Sequence, residues 1–440
     1  MSLLYIYTYL DTEEPVLCGA MKTVIDEDGQ KQAIFRYHPD YLSRETAYAL
    51  DPIHLPLPES SDKLYHTPLE NNVSSFGIFL DSVPDNWGRA RMLRAAGRAL
   101  SATEFIKASG EDRLGALAFS DESDGPKIIA PWANIKDEPS YLDLDDIEHA
   151  LSEEEYKIPE ESAKNLLLYG SSLGGARPKA TVLHQGQLWL AKAPRHDDPR
   201  NVVKIEHATM NIARKIGLEV PETKVVTVNG KDIFLIKRFD REYINGKLVR
   251  YPVMSAYTAF GFPKQRMRIQ KEATYNILAE KIGKISNQAG KDKKELFSRL
   301  CFNVIYGNTD DHSKNHSFIH KNGSWRLSPL YDVVPILNLG IEGQQSMRFG
   351  SEGAKRSISN LLSKHNDFDL SHHEALTCVN EVIQSLKIWE RNFEGANLSR
   401  NDREGLKSTF SIGIDFTEKL NKESNKETKI NLEQGTKLER

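Results

Sequence analysis

Cysteine is scarce: Cys18, Cys301 and Cys378 lie far apart in 440 residues, without the spacing of a metal-ligand set or a disulfide framework. Long apolar runs are missing too, since none approaches the roughly twenty residues of a membrane-spanning helix. No positively charged leader precedes an apolar segment at Met1-Ser-Leu-Leu-Tyr5. The expectation is a cytoplasmic, reduced chain with no membrane partner. There is no cationic excess: the formal net charge of −4 argues against broad nonspecific binding to DNA. One candidate for a local basic face, Lys264-Gln-Arg-Met-Arg268, reads rather as a solvated stretch. What is present, 39% hydrophobic and 27% charged residues, suffices for a sizeable core divided over two or three domains.

Against this background Asn308-Thr-Asp-Asp-His-Ser-Lys-Asn315 is the most informative stretch, with a carboxylate at Asp310 and an amide at Asn315, five residues later. A protein-kinase catalytic loop has this step: the Asp receives the substrate hydroxyl proton and the Asn holds magnesium. Asn-Thr-Asp-Asp is equally an ordinary turn or helix cap, so the remaining parts have to be found in order. Asp332, in Leu327-Ser-Pro-Leu-Tyr-Asp332-Val-Val, follows at about the distance of the second metal-binding kinase Asp. Within the loop, His312 reads as a brace through hydrogen bonds rather than as a base, because Asp310 already supplies the acceptor. Lys314 either neutralises charge on the transferring phosphoryl group or pairs with a neighbouring carboxylate. His372-His373 reads as a surface pair at a helix start, with no third metal ligand nearby.

Upstream, the apolar run Leu188-Trp-Leu-Ala-Lys192 is a strand ending in a lysine, the arrangement of the kinase lysine that neutralises nucleotide phosphates. Fourteen residues on, Glu206 lies in a segment from Val202 to Ile216 with helical apolar spacing, stopped by Gly217. Lys192 and Glu206 are therefore candidates for an ion pair. Before them, Ser171-Ser-Leu-Gly-Gly-Ala-Arg-Pro-Lys179 precedes a hairpin turning near Gly186. Gly174 and Gly175 would let backbone amides approach phosphate, although this is not the usual GxGxxG. Two β-rich runs joined at Asn229-Gly230 lead into Lys237-Arg-Phe-Asp-Arg241, where a kinase has its hinge. Lys237 and Phe239 are read there as nucleotide contacts, and a further turn at Asn245-Gly246 is expected to close the sheet.

With these parts in kinase order, the chain resembles the HipA family of serine/threonine kinase toxins. The likeness is strongest in Ser172-Leu-Gly-Gly-Ala-Arg-Pro-Lys179, Arg238-Phe-Asp-Arg241 and Phe302 to Asn315. Asp81-Ser-Val-Pro-Asp-Asn-Trp-Gly-Arg89 and Asp112-Arg-Leu-Gly-Ala-Leu117 resemble the family's amino-terminal region. The resemblance implies an α+β, two-lobed kinase-like fold. Its expected parts are an amino-terminal mixed subdomain over residues 1–160, a sheet lobe over 165–252, a helical lobe over 253–420 and a disordered tail over 421–440. It further implies ATP and magnesium as cofactors, with Asp310 as base, Asn315 and Asp332 on the metal, and Ser172, Gly174, Gly175, Lys192, Glu206, Lys237, Phe239 and Lys314 around the nucleotide. Autophosphorylation is implied at Ser172, with Ser171 adjacent. The implied partners are a protein substrate such as an aminoacyl-tRNA synthetase and a small helix-turn-helix antitoxin, through which any DNA contact would run. A catalytically silent nucleotide-binding partner of an antitoxin, or a small-molecule phosphotransferase, are the alternative readings.

Overall fold

The computed structural model describes residues 3–10, 14–84, 86–110, 112–126, 179–194, 198, 200–261, 272–340 and 343–416. The Gly-Gly loop with Ser171, Ser172, Gly174 and Gly175, the expected border near residue 160 between the first two parts, the basic stretch 264–268 and the tail 421–440 lie outside these residues.

The amino-terminal region builds a sheet from β1 (Leu3–Tyr9), β2 (Pro15–Ile25), β3 (Lys31–Tyr37), β4 (Tyr65–His66) and β5 (Leu117–Ser120), in the order β4-β3-β2-β1-β5. Alternation along β3 turns Ala33, Phe35 and Tyr37 inward. Gly19 of β2 leaves room for this packing, since a Cβ there would come within 2.5 Å of the Phe35 ring. A helix follows over Asn86–Ala96, and Gly97, at φ +65°, ends it.

The second sheet joins β6 (Lys179–His184), β7 (Gln187–Lys192), β8 (Thr223–Val228) and β9 (Lys231–Lys237) in the order β6-β7-β9-β8. Its hairpins turn at Gln185-Gly186 and Asn229-Gly230, both pairs at positive φ, the two-residue turns whose twist suits antiparallel strands. Helix Val202–Lys215 is capped by the Asn201 side chain, which accepts from the Lys204 amide, and packs on β8 and β9.

The turn at Asn245-Gly246 forms as expected, but β10 (Arg241–Ile244) and β11 (Lys247–Arg250) make a separate two-stranded ribbon rather than closing this sheet. The chain is diverted because Arg238, Asp240 and Arg241 are drawn into a buried ion network and the Tyr251 amide donates back to the Asp240 carbonyl at 2.7 Å.

Beyond residue 253 the chain is not purely helical. Helices Tyr275–Ile285, Ala289–Tyr306 and His372–Ser385 pack together, but β12 (Val253–Ser255), β13 (Ser317–Lys321) and β14 (Ser324–Leu327) form a three-stranded sheet. Strands of three to five residues are too short for a strong alternating signal. Helix Ala289–Tyr306 ends at Gly307, whose φ of +69° suits glycine and whose missing Cβ would lie 2.2 Å from Thr409 Cγ2. Thr409 in turn donates to the Ile336 carbonyl, and its own carbonyl accepts from Arg356.

Candidate active site

Where the two lobes meet, Lys192 is at the end of β7 and points between two carboxylates. Its ammonium donates to Glu206 Oε1 at 2.7 Å and to Asp332 Oδ1 at 2.8 Å. The expected Lys192–Glu206 pair is therefore present, with both side chains buried, and the spacing works because helix Val202–Lys215 turns Glu206 toward the sheet. Burial disfavours the Lys192 charge, but Asp332 and Glu206 outweigh it and raise its pKa above the ordinary lysine value. The Asp332 carboxyl, which burial alone would raise, is held well below the usual range by Lys192 and then Lys179. Asp332 also takes a left-handed backbone, φ +59°, a conformation that Asp tolerates better than most residues and that recurs at functional sites.

Helix Ala289–Tyr306 delivers the loop that faces them. Asn315 is buried and its amide nitrogen donates to the Asp310 carbonyl at 3.0 Å, so the two ends of the five-residue step are tied together. The Asp310 side chain is exposed at this loop. Lys192, Lys237, Phe239, Lys314, Asn315 and Asp332 all line one cleft, with Leu190, Ile236 and Tyr331 supplying an apolar wall and Phe239 stacking on Tyr331 at 5.8 Å. Asp332 and Asn315 present hard oxygen donors, which fit a magnesium ion. Glu206 stands behind Lys192 rather than in the cleft wall. Ser172, Gly174 and Gly175 fall outside the described residues.

Two expectations change. His312 is exposed and lines the cleft instead of bracing the loop. The buried histidine is His316 instead, its Nε2 3.0 Å from Asp311 Oδ1, and the loop is braced by Asn303 of the preceding helix, which donates to Asp311 Oδ2 at 2.8 Å. The loop has two histidines and two adjacent aspartates, and only burial distinguishes their roles. At the hinge, the Lys237 and Arg238 amides are already committed, donating to the Glu222 and Leu188 carbonyls, so neither is an open donor for adenine.

The Arg238-Phe-Asp-Arg241 motif lines the cleft through Arg238, Phe239 and Asp240 and also anchors the amino-terminal region. Arg238 donates to Asp112 Oδ1 at 2.6 Å and to Asp240 Oδ2 at 2.6 Å, and Asp240 Oδ2 accepts from the Gly115 amide. Burial works against the Asp240 charge, yet Arg238 and Arg241 hold its carboxyl well below the usual range, whereas burial wins at Asp112 and raises it. The amino-terminal region also reaches the cleft itself through Leu80, Asp81, Val83 and Leu114. Asp81 accepts from the Ser255 amide at 2.8 Å and its hydroxyl at 2.6 Å.

Burial pushes the Asp81 carboxyl up to about 6 despite those bonds. A raised folded-state value means that this group's contribution to stability is fully present below its unfolded value, near 4, and is lost as pH rises through about 6. Asp81→Asn should therefore flatten the dependence of stability on pH between these limits, read by urea unfolding at several pH values. An unchanged profile would remove Asp81 as its source.

Comparison with known proteins follows the same division of the chain. A family model described as the HipA-like C-terminal domain matches residues 171–389, and one described as the HipA N-terminal domain matches residues 18–120. A putative kinase of Haemophilus influenzae is 27% identical over 192 residues, 38% of this chain and 53% of that protein, so the chain spans about half the length of that relative. The serine/threonine-protein kinase toxin HipA of Shewanella oneidensis is 23% identical over 316 residues, 66% of this chain and 70% of that protein. The structure of the Shewanella oneidensis HipA, HipB and operator DNA complex superposes with a TM-score of 0.67 at 16% identity, covering 94% of this chain and 96% of that one, a likeness of fold.

Proposed function

Because this chain belongs to the HipA family, we propose that it is an ATP- and magnesium-dependent serine/threonine protein kinase, the toxin of a type II toxin–antitoxin pair. The observation that carries the reading is Lys192 bridging Glu206 and Asp332 in a cleft that also receives Asn315. ATP would supply the γ-phosphoryl group, and magnesium, held by Asn315 and Asp332, would neutralise its charge. Lys192, positioned by Glu206, binds phosphate oxygens. Asp310 orients the acceptor hydroxyl of a protein serine or threonine and takes its proton. Because such transfers pass through a loose transition state, positioning and charge stabilisation provide most of the acceleration. Lys314 in the same cleft adds a cation near the reacting group.

The acceptor is a cytoplasmic protein whose phosphorylation stops translation, an aminoacyl-tRNA synthetase being the family's example. The partner is a small helix-turn-helix antitoxin that reads DNA for the pair. Support for that partner comes from the Shewanella complex, in which HipA is bound with HipB and operator DNA. A net charge of −4 agrees with the partner making the sequence-reading contacts. Among the described residues no helix is long and apolar enough to cross a membrane.

Incubating the purified protein with labelled ATP, magnesium and a cytoplasmic extract tests the reading. Label in a discrete protein band is expected. Label confined to a low-mass fraction would point to a small-molecule acceptor, and no transfer at all to a silent module. Lys192→Met should raise the ATP concentration for half-maximal transfer by about tenfold or more, the worth of a charge-assisted contact. Unaltered ATP dependence in that variant would move the phosphate-binding role elsewhere.

A further inference from the structure

Of the two adjacent aspartates in the loop, Asp310 is exposed and Asp311 is only 1% exposed. No hydrogen bond among the described residues fixes the Asp310 carboxylate. A base nevertheless acts only when it is aimed at the hydroxyl it deprotonates. The direction of Asp310 therefore has to come from the backbone on either side of it.

That backbone is held at three successive residues. The Thr309 carbonyl accepts from the Ser346 amide at 3.0 Å and from its hydroxyl at 2.8 Å. The Asp310 carbonyl accepts from the His312 amide and from Asn315 Nδ2, both at 3.0 Å. These two holds use carbonyls, which every residue has. The third uses a side chain: Asp311 Oδ2 accepts from Asn303 Nδ2 at 2.8 Å. Asn303 also accepts from Asn308, through its side-chain oxygen at 3.1 Å and its main-chain carbonyl at 2.9 Å. One asparagine at the end of helix Ala289–Tyr306 thus grips the loop on both sides of Asp310. His316 Nε2 is 3.0 Å from Asp311 Oδ1, but neither of its ring nitrogens enters a hydrogen bond, so Asn303 gives the directional hold. With Asp311 drawn inward, Asp310 is the carboxylate presented outward.

We propose that Asp311 is a positioning residue for phosphoryl transfer: anchored to Asn303, it aims the neighbouring Asp310 carboxylate at the acceptor hydroxyl. This rests on the reading of Asp310 as the base. Asp311 touches neither nucleotide nor acceptor, so its loss acts on the rate and not on ATP binding.

Initial rates of transfer by the full-length protein, taken over a range of ATP concentrations, test this. Asp311→Ala should cut the rate at saturating ATP by about 10–100-fold, the cost of misplacing a reacting group by about an ångström. The ATP concentration for half-maximal transfer should stay at the wild-type value. Asp311→Asn, which keeps an oxygen for Asn303, should recover most of the rate. In an Asp310→Ala background Asp311→Ala should add no further loss, because it acts through that carboxylate. Asp311→Ser, too short to reach Asn303, serves in place of the alanine variant should that one not fold. A wild-type rate without the Asp311 carboxylate would overturn the assignment and leave Asp310 as the base. So would a loss matched by a raised ATP requirement, one that Asp311→Asn does not recover, or one that multiplies with that of Asp310→Ala. Wild-type protein without any transfer would overturn both readings.

Discussion

Asp310→Ala should lose phosphoryl transfer by about 10²–10⁴-fold, the range over which a positioned general base acts, while nucleotide affinity is retained. The separation of the two effects follows from the loop. Asp310 contributes its backbone carbonyl to Asn315 and leaves its carboxylate exposed, so an alanine side chain keeps the first and deletes the second. Initial rates of transfer to the labelled protein band, alongside ATP titration calorimetry, measure both. Transfer at the wild-type rate would exclude Asp310 as base. Loss of nucleotide binding together with transfer would instead make it part of the nucleotide site.

Asp240→Ala should lower stability by about 3–5 kcal/mol, because removing one member of a buried ionic network leaves its partners charged and unpaired. The bereaved groups are the Arg238 and Arg241 guanidiniums and the Gly115 amide, all of which meet Asp240. A shifted urea midpoint, followed by tryptophan fluorescence, is the readout, and an unmoved midpoint would show that the network adds nothing. The pH dependence has a definite sign. Asp240 is depressed in the folded protein, so its contribution is fully present above its unfolded value near 4 and declines only as pH falls through the lower folded value. Wild-type protein should hold this contribution across the neutral range, and the variant should lack it there.

The site was legible in the sequence where chemistry and local periodicity coincide. Lys192 ends a strand-like run and Asn315 and Asp332 follow in kinase order, so their meeting in one cleft, with Glu206 at helical spacing behind Lys192, follows from local elements stacked in the usual way. What was not legible depends on distance along the chain. Asp112 reaches Arg238 across 126 residues and Asp81 reaches Ser255 across 174, and neither pairing leaves a periodic trace. Arg238 and Asp240 were read at the hinge, and their second role, as anchors of the amino-terminal region, left no local sign. His312 and His316 illustrate a subtler limit: both are polar, they are four residues apart, and only His316 is buried, beside Asp311, a tertiary placement without local trace. The short strands around Asn322-Gly323 were read as part of a helical region for a similar reason, since tertiary pairing with Val253–Ser255 rather than alternation defines them.

The junction at Gly307 has a practical reach beyond the loop it starts. Thr409 presses against that glycine, ties down the Ile336 carbonyl and receives Arg356, although it lies 20 residues past Trp389, where the match to the family's C-terminal domain stops. A fragment trimmed at that border would keep every candidate catalytic side chain and lose the wedge behind them. Recombinant work on this kinase lobe therefore calls for an end point after Thr409, and inactivity of a shorter piece would report a missing buttress rather than missing chemistry.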